Sequence, residues 1–375
     1  MSEGKKMALP DYILRASERS AHPYHLWDGI CSIQNSLRSI VDSYDKDGGK
    51  LQEISSRIAD RGRIYFVGCG TSYYNSVASQ FIFNRIAGIN ASAVYALEFT
   101  EFPPLDLKNS AVIGISHTGG TASVVAAINA AKAGGAYTVA VTDVEASDIV
   151  AAAHASLPGY GGREPSLPKT RSYLAALMKL SCLAAEIARY RDRDARNFLD
   201  GLRSVPEKVG TLLQSAQADM KALAANLYKA IYLFGSGINL GSASESALKL
   251  QETAQTISIP FELEEGMHGP WVTMNKGDLV TVFHFDGLYH DKSLALIKSL
   301  SHIGVDILVI TNCLSFNEKV KQVVTIGEGE FLSPFYTVLP LYQLAYFTAL
   351  QKGNNPDFMR LWEEPYLATR LSLPR

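Results

Sequence analysis

The sequence reads IYFVGCG at residues 64–70 and IYLFGSG at residues 231–237. Both stretches are short, β-rich apolar runs that end in Gly-x-Gly, and four of the seven positions are identical. The segments after each copy come in a similar order, with strand-like runs alternating with helical ones. Such alternation is typical of βαβ units and a parallel sheet. The repeat therefore predicts two similar α/β domains in tandem.

The flanking sequence supplies the remaining elements of both domains. In the first domain, strands are predicted at 63–67, 111–115 and 137–141, and helices at 74–86, 122–133 and 170–191. Two further helices are predicted within 193–227. In the second domain, strands are predicted at 279–285 and 306–310, and helices at 242–256, 292–303 and 335–351. We place the boundaries as a helical N-terminal arm at 1–50, a first domain at 51–200, and a second domain with a C-terminal tail at 201–375.

Composition excludes several classes of protein. Thirty-five Lys and Arg against 37 Asp and Glu leave no basic excess for nucleic acid. The four cysteines are scattered without a Cys-x-x-Cys pair, which disfavours a disulfide scaffold and favours a reducing compartment. The N-terminus lacks the apolar run of a signal peptide, and the uncharged stretches 109–131 and 331–351 are too polar or too rich in proline for a membrane helix. We expect a cytoplasmic protein that binds neither nucleic acid nor membrane.

Two loops rich in hydroxyl groups and glycine follow strands of the first domain, GCGTS at 68–72 and SHTGGT at 116–121. Each leads into a predicted helix, whose free N–H groups and partial positive charge favour an anion such as phosphate. In an open parallel sheet both loops lie at the carboxyl edge, where ligands bind. Neither loop is a GxGxxG or Walker sequence, so nucleotide binding is not indicated. Ordinary Ser/Thr helix caps are the alternative interpretation.

Glu245, Lys249 and Glu252 share one face of a predicted helix, because they are four and three residues apart. A surface ladder of ion pairs is one interpretation of this spacing. His268 lies in the loop GMHGP at 266–270, where it could titrate near neutral pH and act as an acid or base. A surface role is again the alternative. The other seven histidines show no metal-ligand spacing, so we predict no metal site and no cofactor.

Residues 60–357 together resemble proteins with two sugar-isomerase (SIS) domains. The resemblance is to the isomerase half of glucosamine-6-phosphate synthase and to its stand-alone deaminase and deglycase relatives. The segments that match, in order, are GCGTS (68–72), ISHTGGT (115–121), PKTRSYLAAL (168–177), ESALKLQE (245–252), HGP (268–270) and NPD (355–357). The resemblance implies two SIS domains, each a parallel sheet flanked by helices in a flavodoxin-like three-layer sandwich.

The resemblance also implies roles for individual residues. The phosphate of a phosphosugar would be bound by Ser72, Ser116, His117, Thr118 and Thr121, and its sugar by Cys69, Thr71 and Lys169. Glu252 falls on the family's base, which moves a proton between C1 and C2 of the open-chain sugar, and Lys249 and Glu245 fall on residues that support it. His268 falls on the residue that assists ring opening, supplied across a homodimer with shared active sites. The apolar stretches 170–191 and 331–351 would provide surface for that dimer.

Several departures from the family pattern bear on the reaction. His117 stands where the family usually has glutamine, and Gly120 where it has glutamate. The tail lacks the lysine with which the synthase contacts its sugar, and we expect no glutaminase domain. These differences favour isomerisation of an amino-sugar phosphate with amine release, as in glucosamine-6-phosphate deamination. The alternatives are a fructosamine-6-phosphate deglycase, against which Lys249 counts, a plain aldose–ketose isomerase, and a non-catalytic sugar-phosphate sensor.

Overall fold

The structure is a computed structural model that describes residues 9–46, 48–157, 159, 162–287 and 289–373. Two parallel five-stranded sheets form the centre of the molecule. The strands of the first sheet are β1 (Arg63–Gly68), β2 (Asn90–Tyr95), β3 (Ser110–Ile115), β4 (Tyr137–Val141) and β5 (Ala155–Leu157). The strands of the second sheet are β6 (Ala230–Phe234), β7 (Ile257–Phe261), β8 (Leu279–His284), β9 (Asp306–Thr311) and β10 (Gln322–Thr325).

The two sheets have the same strand order. The first runs β2-β1-β3-β4-β5, and the second, read from its other end, runs β7-β6-β8-β9-β10. Strands β1 and β6, which contain the two copies of the repeated sequence, occupy equivalent places between equivalent neighbours. This is the order of flavodoxin-like sheets. The predicted tandem of α/β domains is confirmed.

Helices cover both sheets. The N-terminal helices are α1 (Asp11–Ala16), α2 (His25–Cys31), α3 (Ile33–Lys46) and α4 (Gly49–Ala59). The helices that follow are α5 (Thr71–Ile82), α6 (Ala96–Glu101), α7 (Ala122–Ala133), α8 (Asp148–Ala152), α9 (Arg171–Tyr190) and α10 (Arg196–Ala224). The remaining helices are α11 (Ile238–Ala254), α12 (Leu263–Met267), α13 (His290–Ser301), α14 (Pro334–Gln351) and α15 (Glu364–Ser372). A π-helical turn, Phe83–Ala87, continues α5, and a 3₁₀ turn, Pro270–Thr273, follows α12.

The prediction of two helices within 193–227 is wrong, because α10 is one continuous helix with Pro206 inside it. A buried face that runs from Phe198 to Leu223 continues past the proline. Packing along this face outweighs the backbone hydrogen bond that a proline removes. Strands β2, β5, β7 and β10 were not predicted, since their side chains are mostly half-buried and give a weak apolar pattern.

The N-terminal helices belong to the main hydrophobic core. Ile33, Leu37 and Ile54 of α3 and α4 are fully buried in one cluster with residues of α9 and α10. The segment that we expected to form an arm therefore packs against the body of the protein. The first eight residues, which bear on the expected absence of a leader, lie outside the described residues. The boundaries at residues 50 and 200 stay predictions.

Helices α9 and α14 are covered within a single chain. Every residue of α14 from Pro334 to Ala349 is buried, and so is nearly all of α9. The expectation that these helices supply exposed apolar surface for a dimer is wrong, because the helices of the same chain already cover them. None of the helices in the described ranges is long and apolar enough to cross a membrane.

Candidate active site

A cavity of about 410 Å³ lies at the carboxyl edge of the first sheet. The loops that follow β1, β3 and β4 line it, and helix α11 of the second domain closes one side. The strand order reverses between β1 and β3, so their loops diverge and leave a crevice between them. Ligands of doubly wound sheets bind at this point. We refer to it as the main cavity.

The loop after β1 contributes Cys69, Thr71 and Ser72 to the main cavity. Gly70 has a φ of +53°, a backbone conformation that favours glycine, and it lets the chain turn directly into α5. A Cβ atom at Gly68 would lie 2.8 Å from the Ser72 backbone, so the strand and the helix also need glycine there to approach each other. The Gly-x-Gly of the repeated sequence therefore places a helix N-terminus beside the cavity.

The loop after β3 contributes His117, Thr118 and Thr121 to the main cavity. Ser116, a further residue predicted to bind phosphate, is buried and is not among the lining residues. Its hydroxyl lies 3.0 Å from Oγ1 of Thr121 and accepts a hydrogen bond of 3.1 Å from the Gly119 amide. As it stands, the Ser116 hydroxyl holds the loop in shape.

His117 is held by two buried residues that the sequence did not identify. Its Nδ1 lies 2.8 Å from Oδ2 of Asp143, and Oδ1 of the same carboxylate lies 2.7 Å from Nζ of Lys179. All three side chains are at most 10% exposed and line the main cavity. Nε2 of His117 is buried, and none of the described residues hydrogen-bonds to it. Lys179 alone offers a signal in the sequence, as the single charged residue within the stretch 172–185 of α9.

The Asp143 carboxylate is ionised in this arrangement. Burial by itself would raise its pKa, but hydrogen bonds from His117 and Lys179, with the Lys179 ammonium, lower the pKa to about 2. A carboxylate that accepts from Nδ1 of His117 leaves Nε2 as the nitrogen available to a ligand.

Glu252, Lys249 and Glu245 form a buried cluster beside the main cavity. Lys249 hydrogen-bonds to the Glu252 carboxylate, and its Nζ lies 3.6 Å from Oε1 of Glu245. It also lies 3.2 Å from the Thr71 hydroxyl, and Tyr342 donates a hydrogen bond of 3.2 Å to Glu245. The interpretation as a surface ladder is wrong, because the side chains of Glu245 and Lys249 are 0% and 1% exposed.

The charges of this cluster are coupled. Burial and the Glu252 charge raise the pKa of Glu245 to about 7, although Lys249 acts in the opposite direction. Burial would lower the pKa of Lys249, but the two carboxylates raise it, so this residue is an ammonium. Glu252 is the member of the cluster that lines the main cavity. A carboxylate at the cavity is thus paired with a fixed cation.

His268 and Lys169 have different surroundings. His268 follows α12, its side chain is 68% exposed, and Nδ1 lies 2.8 Å from the Glu264 carbonyl oxygen. It does not line the main cavity of its own chain. Lys169 does line it, and its ammonium donates to the carbonyls of Glu164 and Ser166 at 2.9 and 2.5 Å. Burial lowers the pKa of Lys169.

A second cavity, of about 490 Å³, adjoins the main cavity and shares Thr118, Thr121, Lys169 and Arg370 with it. Arg15 of α1 and Arg163 also line it, so we call it the cationic cavity. None of the described carboxylates forms an ion pair with its three arginines. Arg370 comes from α15, in the tail that lacks the family's lysine, and its position was not predicted from the sequence.

The carboxylate of Glu164 also faces the cationic cavity, but its oxygens are used by the start of α9. They accept hydrogen bonds from the amides of Thr170 and Ser172 at 3.0 and 2.7 Å. This carboxylate therefore caps the helix and leaves the positive charge of the arginines available to a ligand.

Residues 57–185 and 228–316, more than half of the chain, match the SIS domain family. The chain belongs to the SIS domain family. Among its relatives are glutamine–fructose-6-phosphate aminotransferases from Thermococcus kodakarensis, 29% identical over 92% of this chain, and Clostridium acetobutylicum, 28% identical over 95%. This SIS-domain chain spans 58% and 61% of their lengths. The resemblance to the isomerase part of these enzymes is confirmed.

Solved structures share the fold of this SIS-domain chain. The C-terminal domain of glucosamine-fructose-6-phosphate aminotransferase from Francisella tularensis has a TM-score of 0.82 at 18% identity, covering 90% of this chain and 98% of that one. Glucosamine-6-phosphate deaminase from Thermotoga maritima has a TM-score of 0.72 at 23% identity, covering 90% and 97%. Tagatose-6-phosphate ketose/aldose isomerase from Escherichia coli has a TM-score of 0.75 at 19% identity, covering 91% and 96%. These likenesses confirm the double-SIS architecture.

Proposed function

We propose that this SIS-domain chain is a phosphosugar isomerase that moves a proton between C1 and C2 of an open-chain amino-sugar phosphate and releases the amine. One observation supports this above the others: Glu252, paired with the buried Lys249 ammonium, lines the same cavity as the hydroxyl-rich loops after β1 and β3. An acid–base group and an anion-binding edge thus face one ligand. A phosphosugar sensor would need only the anion-binding edge.

Different residues of the loops would bind the phosphate and the sugar of the ligand. The phosphate would accept hydrogen bonds from Ser72, Thr118 and Thr121, with Nε2 of His117 on the same side. The hydroxyls of the sugar would contact Cys69, Thr71 and Lys169, nearer to the Glu252 carboxylate. Hydrogen bonds between neutral donors and a charged phosphate are stronger than those between neutral groups. The phosphate therefore orients the sugar against the base.

The reaction balances with water as the only co-reactant. With glucosamine 6-phosphate, Glu252 takes the proton from C2, the electron pair forms a C1=C2 double bond, and the carbonyl oxygen is protonated. Glu252 then returns the proton to C1, and the nitrogen lone pair forms a C2=N iminium. Water adds to C2, the C–N bond breaks, and fructose 6-phosphate and ammonia leave. The Lys249 ammonium, fixed beside Thr71, offsets negative charge that develops during enolisation.

Ammonia release is the direct test of this proposal. The purified protein is incubated with glucosamine 6-phosphate, and ammonia and fructose 6-phosphate are measured together. Equal amounts of the two products, absent in Glu252→Gln, are expected. Conversion of sugar phosphates without ammonia would identify a plain aldose–ketose isomerase. Phosphosugar binding without turnover of this substrate or of a fructosamine 6-phosphate would identify a sensor.

The cationic cavity favours a second candidate function, deglycation of an amino-acid adduct. In a fructosamine 6-phosphate the amine bears an amino acid, and its carboxylate would face Arg15, Arg163 and Arg370 when the phosphate occupies the main cavity. Arginine pairs with carboxylates in a bidentate manner. The same proton shuttle would convert the ketoamine to an aldimine, which water hydrolyses to glucose 6-phosphate and the free amino acid.

Two synthetic adducts distinguish the candidates. Fructosyl-glycine 6-phosphate and fructosyl-methylamine 6-phosphate differ in the carboxylate, so deglycation predicts a higher kcat/KM for the glycine adduct. Arg163→Gln is expected to reduce this preference, whereas Arg196→Gln, a matched change at an 86% exposed arginine, leaves it intact. Equal rates for both adducts would remove the carboxylate-binding role of the cationic cavity.

A further inference from the structure

Two histidines and a cysteine meet at the carboxyl edge of the second sheet. His284 ends β8, His290 begins α13, and Cys313 follows the end of β9. By their place in the strand order, β8 and β9 correspond to β3 and β4 of the first sheet. The segments after them are therefore the counterparts of the loop that begins at Ser116 and of the Asp143 segment. The second domain presents two imidazoles and a thiol there, whereas the first presents hydroxyls, the His117 imidazole and the Asp143 carboxylate.

The donor atoms of these side chains are close together. One ring nitrogen from each histidine and Sγ of Cys313 all lie within 4.8 Å of one another. Sγ lies 3.9 Å from Nδ1 of His290, and Oδ1 of Asp286 lies 3.0 Å from Sγ and 3.2 Å from the same Nδ1. Tetrahedral zinc, with bonds of 2.0–2.3 Å, places its ligand atoms roughly 3.3–3.8 Å apart. The two histidines and Cys313 therefore lie at most about 1 Å beyond that spacing, and Asp286 contacts two of these three residues.

A hydrogen bond fixes the ring of His284. Its Nδ1 lies 2.7 Å from Oγ of Ser293, and that hydroxyl lies within donating distance of the Tyr289 and His290 carbonyls, at 2.8 and 2.9 Å. Because the hydroxyl proton is given to a carbonyl, its oxygen accepts from Nδ1–H of His284. Nε2 then carries the free lone pair. Metal-binding histidines are oriented in this way by a partner on the other ring nitrogen.

We propose that Cys313, His284, His290 and Asp286 form a binding site for a borderline-soft divalent metal ion, with Zn²⁺ as the fitting ion. Thiolate and imidazole donors select such ions over Mg²⁺ and Ca²⁺. On binding, Cys313 loses its proton to solvent and the Asp286 carboxylate exchanges its contact with the thiol for the ion. The ion would link β8, β9 and α13 at one edge of the second domain, apart from the main cavity.

No spacing of histidines and cysteines in the sequence indicates this site. His284 and His290 are six residues apart and Cys313 follows 23 residues later, which matches none of the usual zinc spacings. The ligands meet because strands β8 and β9 are neighbours that end at the same edge. The prediction that the chain has no metal site rested on spacing alone.

Metal titration of the whole protein tests this site without any assay of turnover. The protein is stripped with a chelator and titrated with Zn²⁺ in competition with a chromophoric chelator, and separately with Co²⁺, whose absorption reports a thiolate ligand. One ion per chain is expected. Cys313→Ser and His290→Ala should lower the affinity at least about 100-fold, and Ser293→Ala about 10- to 100-fold.

Matched controls separate the site from general effects. Cys31→Ser and His302→Ala change an exposed cysteine and an exposed histidine elsewhere and should leave the titration unchanged. Zn²⁺ should raise the Tm of the wild type and not that of Cys313→Ser, while the metal-free proteins melt alike. Absence of thiolate absorption with Co²⁺, or equal Zn²⁺ affinity in wild type and Cys313→Ser, would overturn the proposal. The four residues would then be a hydrogen-bonded cluster only.

Discussion

At the scale of single residues, the main cavity combines two kinds of buried charge. Lys249 is surrounded by two carboxylates, whereas Asp143 is surrounded by a lysine and a histidine. In each cluster a buried ion lies between two partners, which are two carboxylates for Lys249 and an ammonium and an imidazole for Asp143. These contacts offset the free energy cost of burying the charge. Glu252 of the first cluster and all three residues of the second line the main cavity. Each gives a prediction that a single substitution can test.

Glu252→Gln should lower kcat about 10²- to 10⁴-fold, because an amide cannot accept the proton that a general base transfers. The Kd for fructose 6-phosphate should change only a few-fold, since the amide keeps the size and the hydrogen bond acceptor of the carboxylate. Steady-state kinetics and calorimetric titration measure the two quantities. Glu101→Gln, at an exposed position, is the control. Full activity in Glu252→Gln would remove this residue from the mechanism.

Asp143→Asn should destabilise the protein in a way that depends on pH. The folded pKa of Asp143, about 2, lies below its ordinary value of 3.8, so the ionised carboxylate stabilises the fold above about pH 4. The contribution, on the order of 2 kcal/mol, is lost as the pH falls from about 4 towards 2.

Urea unfolding of wild type and Asp143→Asn between pH 7 and pH 3 measures this effect. The difference in unfolding free energy should be largest at neutral pH and should shrink below pH 4. Asp60→Asn, at an exposed position, should show no such trend. A difference that is constant with pH would mean that the charge of Asp143 is not what stabilises the fold.

At the scale of elements, the hydroxyls of the loop after β3 differ in their surroundings. Thr118 lines both cavities, whereas Ser116 is buried and holds the Gly119 amide. The two residues are only two positions apart and have similar chemistry. The turn at Gly119, with φ at +71°, directs one hydroxyl inwards and leaves the other at the cavity. Neighbouring residues of one motif therefore have different effects when they are changed.

Thr118→Ala should raise KM for a phosphorylated substrate about 10- to 100-fold, because a hydrogen bond to a charged group contributes roughly 1.5–3 kcal/mol. Its unfolding free energy should hardly change. Ser116→Ala should instead cost about 1 kcal/mol of stability, since it removes the buried hydrogen bonds of this hydroxyl to the Gly119 amide and to Thr121, although the Ser116 carbonyl still accepts from that amide. Kinetics and thermal unfolding of both variants check this. An equal rise of KM in the two variants would show that Ser116 also contacts the phosphate.

At the scale of the whole molecule, the second domain closes the binding edge of the first. Helix α11 brings Glu252 to loops that precede it by more than a hundred residues, and the tail helix α15 brings Arg370 to both cavities. His268, which the family resemblance pairs with this site, lies exposed on its own chain. A twofold partner that supplies His268 would complete the site. The homodimer remains a proposal, because α9 and α14 are already covered.

Co-expression of Glu252→Gln with His268→Ala tests the shared site. In a mixed dimer one site receives both changes and the other neither, so by twofold symmetry the randomly paired mixture should have about a quarter of wild-type activity and the isolated mixed dimers about half. Each variant expressed alone should be nearly inactive. Two different affinity tags isolate the mixed dimers, and activity is measured on them. Mixed dimers without activity would mean that His268 does not act across the interface.

Local patterns in the sequence were enough for much of the fold and part of the site. The repeated IYFVGCG and IYLFGSG stretches, with alternating strands and helices, indicated two equivalent α/β domains. The hydroxyl-rich loops indicated an anion-binding edge, and the family resemblance, rather than the helical spacing, assigned Glu245, Lys249 and Glu252 to the site, where the structure places Glu252 at the main cavity and the other two beside it. These features are local, because the spacing of apolar and polar residues within one strand or helix can be read from the sequence of that element alone.

Tertiary structure alone decided which of these surfaces are covered and which distant residues meet. In the folded chain, α9, α14 and the helix face that contains Lys249 are buried. His117 and Lys179 both pair with Asp143, and Arg370 lies at the cavities. The tertiary structure also gathered His284, His290 and Cys313 at one edge. Contacts of this kind depend on how separate elements pack against one another. An apolar face indicates that this face is buried, but which element packs against it depends on the tertiary structure of the whole chain.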